Sequence, residues 1–237
     1  MRGWRIGTVA ETRRETASAR TIVLEVPGWG GNEAGQHLDV RLTADDGYQA
    51  ARSYSIASVG MGDRVQLAVD RLPDGEVSPF LVDELMVGDR LEVRGPLGAW
   101  FVWRPGQVGP VQLIAGGSGI VPLMAMIRAR AGVGDAPPFR LLYSVRTPDD
   151  AFFRAELEAP PPGVDVTWRY TRSAPEGWAG TVGRVTREVL ESATFPASDA
   201  LTTYVCGPTG FVEAVATVLV ELGHDPARVK TERFGGI

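Results

Sequence analysis

Cysteine is nearly absent from this sequence: Cys206 is the single one among 237 residues. An internal disulfide needs two thiols and a cysteine-held iron–sulfur cluster needs four, so neither can be built from this chain. Histidine is almost as scarce. His37 and His224 stand far apart with no metal-ligand spacing, and both read as structural. No cluster of Lys and Arg offsets the formal net charge of −5, which argues against a nucleic-acid partner. No apolar run is long enough to span a bilayer. The opening Met1-Arg2-Gly3-Trp4-Arg5-Ile6-Gly7 lacks the apolar segment of a signal peptide. The expectation is a soluble, cytoplasmic protein, a monomer with no membrane partner.

What remains is an ordinary globular composition, 44% hydrophobic and 22% charged, over a length that accommodates two modest domains. The first half reads as short strands bounded by Gly, Asp or Pro: Val9–Arg14, Ala19–Val26, His37–Leu42, Ala51–Ala57, Val65–Arg71 and Arg90–Val93. Their period-two alternation predicts an antiparallel barrel or sandwich. One helix is expected among them, Ser78–Val87, capped by Ser78 and started by Pro79. The second half changes rhythm. Val111–Ala115, Phe139–Val145, Val164–Tyr170 and Leu201–Val205 are nearly continuous apolar strands with helical stretches between them. That pattern predicts a parallel sheet covered on both faces. The boundary falls within Trp103–Gln107, giving a β-barrel domain over 1–105 and an α/β domain over 108–237.

Three motifs carry chemistry. Arg52-Ser53-Tyr54-Ser55 ends one strand, and Arg71 followed by Gly75-Glu76-Val77-Ser78 leads to the expected helix. A guanidinium and a helix N-terminus suit a pyrophosphate. Gly116-Gly117-Ser118-Gly119 joins a buried strand to a helix, where missing side chains let a backbone approach a phosphate. Cys206-Gly207-Pro208 ends the last apolar strand, at the ligand-binding edge of a parallel sheet.

In this order the motifs resemble the ferredoxin–NADP reductase family of flavoproteins, over nearly the whole chain from Ala34-Gly35-Gln36 to Glu232-Arg233-Phe234. The resemblance implies an FAD-binding antiparallel β-barrel followed by a nicotinamide-binding α/β parallel-sheet domain. It implies Arg52 on the flavin pyrophosphate, with Ser53 in the same motif, Tyr54 beside the flavin ring, and Ser55 at flavin N5. Val69, Arg71, Gly75, Val77 and Ser78 would complete the flavin site. Gly117, Ser118 and Gly119 would face the nicotinamide pyrophosphate, and Cys206, Gly207 and Pro208 the nicotinamide. Glu232 is expected near Ser55 and Cys206 as a proton relay, and Phe234 over the flavin face that nicotinamide must reach. Gly235-Gly236-Ile237 after Phe234 departs from the plant-type pattern, in which the aromatic ends the chain.

Arg146, Arg172 and Arg184 resemble the arginines that hold the 2′-phosphate in NADPH-preferring members, so NADPH is the expected donor, with NADH as the alternative. FMN remains open beside FAD. The acceptor is expected on a separate protein, such as a ferredoxin, a haem protein or a molybdenum-enzyme subunit. Two other readings stay open: a reductase of small acceptors (quinone, free flavin, ferric chelate), and a non-catalytic flavin-binding regulatory subunit.

Overall fold

The computed structural model describes residues 3–60 and 62–234. Its first sheet holds β1 (Arg5–Arg14), β2 (Ala19–Glu25), β3 (His37–Thr43), β4 (Gln49–Ser55), β5 (Arg64–Asp70) and β6 (Arg90–Leu97). They run in the order β4-β3-β6-β1-β2-β5, each pair antiparallel. A bridge between Ile56 and Leu67 brings the two outer strands together and closes the barrel. Alternation on β5 sends Val65, Leu67 and Val69 into the barrel core and Ala68 to the opposite face.

The expected helix Ser78–Val87 starts at Ser78 but stops at Glu84, its last turn being Phe80–Glu84. Leu85 leaves the helical region with ψ 131°, and the Arg20 guanidinium takes up the Leu85 carbonyl at 2.6 Å. A carbonyl satisfied from another strand has no need of a further helical turn. Ser78 does not cap it: its hydroxyl accepts the Leu72 N–H at 3.0 Å instead.

The second sheet is wholly parallel, ordered β11-β10-β7-β8-β9 from β7 (Val111–Gly116), β8 (Phe139–Val145), β9 (Val164–Tyr170), β10 (Thr202–Pro208) and β11 (Val229–Phe234). Helix α1 (Ile120–Ala131) covers one face; α3 (Arg187–Ala193) and α4 (Thr209–Glu221) cover the other, while α2 (Arg154–Glu158) follows β8. Period two decides which face each residue joins. Ile114, Leu142 and Val205 pack towards α4, whereas Leu113, Tyr143 and Cys206 pack towards α1. Ala57 and Ala68 of the barrel belong to this same α1-side cluster, so one apolar core crosses the domain junction.

Two polar grips reinforce that junction. From α1, Arg128 donates to the Ala57 carbonyl and to Gln66 Oε1, both at 2.9 Å, while its other nitrogens pair with Glu156. From the barrel, the Glu15 carboxylate accepts the backbone N–H of Phe153 at 3.0 Å. Phe153 holds a left-handed backbone at φ 53°, uncommon for a residue with a side chain.

Candidate functional site

A cleft of about 370 Å³ opens where β4 and β5 face the carboxyl ends of the parallel strands. It is lined from the barrel by Arg52, Ser53, Tyr54 and Ser55, and by Gly75, Val77 and Ser78. The α/β domain adds Ser118, Glu232 and Phe234. Motifs separated by well over a hundred residues thus meet in one cavity.

Strand β4 sets the barrel wall. Arg52 is paired with Glu76 and also donates to the Ala51 carbonyl at 2.8 Å. Ser53 donates to Asp39 at 2.6 Å, and Asp39 is gripped in turn by Arg94. Tyr54 packs against the barrel core, and burial pushes its phenol pKa up. Ser55 is 6% exposed, and its Oγ is buried with no hydrogen-bond partner of ordinary geometry. A buried hydroxyl without a partner costs about 1–3 kcal/mol, so an orphan bordering a cleft marks a place for a ligand atom.

The other wall is built by backbone register. Parallel pairing of β10 with β11 sets Cys206 beside Glu232 and Pro208 beside Phe234. Burial raises the Glu232 carboxyl to about 7, opposed by the nearby Ser55 hydroxyl. Burial, with Glu232 adding to it, lifts the Cys206 thiol well above its usual range, so it stays neutral. Cys206 is wholly buried rather than exposed to the cleft. Glycine is required in the turn before α1. Gly117 sits at φ +54°, and a Cβ on Gly119 would lie 2.1 Å from the Cys206 carbonyl oxygen. The glycine turn and the thiol strand are therefore in backbone contact.

The remaining expected residues scatter more. Val69 points into the barrel core, so Ala68 and Asp70 border the cleft in its place. Arg71 turns to Asp83 at 3.4 Å and does not line the cavity. Gly207 is buried and Pro208 exposed. Arg146 and Arg172 lie on adjoining segments, since the Arg172 N–H bonds the Arg146 carbonyl at 2.9 Å. Arg184 follows Gly183, whose N–H bonds Tyr170 at the end of β9. All three arginines are exposed, and none forms an ion pair among the described residues.

Residues 8–102 match the model of the oxidoreductase FAD-binding domain, and residues 113–217 that of the oxidoreductase NAD-binding domain. The chain is 33% identical to an NADH-cytochrome b5 reductase 1 of Aspergillus oryzae, covering 82% of this chain and 69% of that protein. It is likewise 33% identical to the glycine betaine monooxygenase reductase subunit of Chromohalobacter salexigens, over 85% of this chain and 55% of that subunit. The chain belongs to the ferredoxin–NADP reductase family. It spans 65% of the length of the related cytochrome b5 reductase of Neosartorya fischeri. The FAD/NAD-binding domain of a Vibrio cholerae nitric oxide dioxygenase superposes with a TM-score of 0.86 at 27% identity, over 100% of both chains.

The cleft fits what the family's two domains bind, FAD and a nicotinamide dinucleotide. The orphan Ser55 hydroxyl lies on the flavin side, and the glycine turn leaves open space at Gly117. Several cleft residues were not expected from sequence. His37 pairs across the ladder with Ser55 and borders the cavity. Asp70 and Glu76 add carboxylates. Strand pairing could have found His37, because β3 runs antiparallel beside the motif strand. Nothing in the sequence marked Glu76 beyond its place in Gly75–Ser78. No His/Cys/Asp/Glu group among the described residues could hold a metal ion, and no described helix is long and apolar enough to cross a membrane.

Proposed function

We propose that this chain is an FAD-dependent NAD(P)H oxidoreductase that passes electrons to a separate acceptor protein. FAD, when bound, supplies the conversion of a two-electron hydride donor into single electrons. The chain's own residues supply alignment, exclusion of water and a proton site. Arg52 would hold the pyrophosphate and Ser55 the N5 edge, with Tyr54 as the wall. Phe234 would cover the ring and yield to nicotinamide. The neutral Cys206 thiol would back the cleft wall beside Glu232 and fix where the reacting carbon sits. Glu232, near 7, changes charge at physiological pH and would take or give the accompanying proton.

The observation that carries this reading is the buried Ser55 Oγ, beside Glu232 but without a hydrogen bond of ordinary geometry, in a cleft shared with Phe234. The unpaired Arg146, Arg172 and Arg184 support NADPH, whose 2′-phosphate calls for guanidinium partners. The relatives named NADH-cytochrome b5 reductase keep NADH as the second candidate. We place the division between the two functional units at 105–108, where residues 1–105 would serve the flavin and 108–237 the nicotinamide.

Released flavin identified by chromatography should be FAD. Anaerobic addition of NADPH should bleach it. A ferredoxin, haem protein or molybdenum-enzyme subunit at low micromolar concentration should then accelerate NADPH oxidation. Equal rates with quinone or ferric chelate and no gain from any protein would favour a small acceptor. A bound flavin that neither NADPH nor NADH bleaches would reject catalysis altogether.

A further inference from the structure

Both arginines that line the cleft are already paired with a carboxylate, and so is Arg71 just outside it. Arg52 pairs with Glu76, Arg71 with Asp83, and Arg233 with Glu213. Of those three carboxylates, Glu76 is the one that itself borders the cavity. It is held at both oxygens: Oε2 faces the Arg52 guanidinium, and Oε1 accepts the Tyr48 hydroxyl at 2.6 Å. The remaining Arg52 donor that is engaged serves the Ala51 carbonyl. A dianionic pyrophosphate entering here meets a cation whose charge is cancelled and a fixed carboxylate beside it.

We propose that Glu76, tethered by Tyr48, is a built-in counter-ion of Arg52 that the phosphates of the flavin must displace. It is thus a determinant of flavin affinity that acts against binding. The inference rests on the assignment of this cleft to FAD. The exchange is feasible because an ion pair open to solvent is weak, whereas a guanidinium–phosphate contact is bidentate and stronger. Because both partners are exposed, the displaced Glu76 can remain hydrated, and only its charge opposes the ligand. The opposition acts on phosphate, so it scales with ligand charge and weakens as salt screens it.

The test uses holoprotein prepared with FAD and follows the return of flavin fluorescence on dilution. Protein stripped and reloaded with FAD, FMN or riboflavin gives the equilibrium constants. Glu76→Gln should lower the Kd for FAD and FMN about three- to tenfold at low ionic strength and slow FAD release, with riboflavin changed less than twofold. Glu76→Ala should do the same, which guards against an effect peculiar to the amide. Added salt should shrink the difference between wild type and variant. Unchanged or weaker FAD binding in both variants overturns the counter-ion role, and means Glu76 serves the ligand. An equal gain for riboflavin overturns it as well, because riboflavin carries no phosphate. Absence of saturable FAD binding by the wild-type protein would instead bring down the flavin assignment, and the inference with it.

Discussion

The two domains handle cations differently. On the barrel side Arg52 and Arg71 are tied to Glu76 and Asp83, and Ser53 is tied to Asp39. In the α/β domain Arg233, which lines the cleft, pairs with Glu213, whereas Arg146, Arg172 and Arg184, outside the cavity lining, stand exposed with no ion-pair partner among the described residues. Solvent-exposed ion pairs are worth about 0.2–1 kcal/mol and charge-assisted phosphate contacts about 1.5–3 kcal/mol. A phosphate that reaches Arg52 must therefore first break a bond, and one that reaches the three exposed arginines need not. A cofactor that stays bound tolerates such an exchange; a donor that arrives and leaves at every turnover is better served by unengaged charges.

The largest test of this contrast is Arg52→Ala. We expect flavin affinity to fall roughly 10- to 100-fold, read as flavin lost on desalting, because the guanidinium's phosphate contact outweighs its pair with Glu76. Retained flavin would mean that the barrel wall works without its arginine. Arg172→Ala should raise the KM for NADPH about tenfold and that for NADH by less than twofold; equal losses would remove the 2′-phosphate assignment. Cys206→Ala should slow anaerobic flavin reduction about fivefold with the flavin spectrum preserved, since a misplaced reacting atom costs rate before binding. Unaltered reduction would leave the thiol as packing alone.

A test by stability rather than by rate or affinity concerns Glu232. Its folded pKa, about 7, exceeds the ordinary carboxyl value of 4.5, so between these values the folded protein binds more protons than the unfolded. Stability from this group is then full below the unfolded value and falls as pH rises to 7, by on the order of 2 kcal/mol. Glu232→Gln should flatten that decline in denaturant titrations across this window. A variant with the same decline as wild type would show that the carboxyl is normal.

Much of this was written in the sequence at the level of strands, because each buried strand carries its own period. Phe139–Val145 and Val164–Tyr170 have the bounds that their apolar runs predict. Strand β11 escaped notice because Val229-Lys230-Thr231-Glu232-Arg233-Phe234 is a sheet edge with half-buried side chains and no apolar period. Yet its register with β10 is what puts Glu232 beside Cys206. The helix from Ser78 ends early for the opposite reason. Its local signals were good, and a distant arginine, Arg20, captured the carbonyl at its end. Val69 was misassigned by one residue on an alternating strand, which is enough to turn a side chain from cleft to core.

Helix α1 is also a spacer of fixed length. The glycine turn lies at its start, and Arg128 grips the flavin barrel eight residues after Ile120, roughly 12 Å along the axis. One residue inserted between them would rotate Arg128 by about 100° and advance it by about 1.5 Å, out of reach of Ala57 and Gln66. Across divergent sequences of this architecture, that interval should tolerate substitution but not insertion or deletion, whereas the loops on either side can lengthen freely.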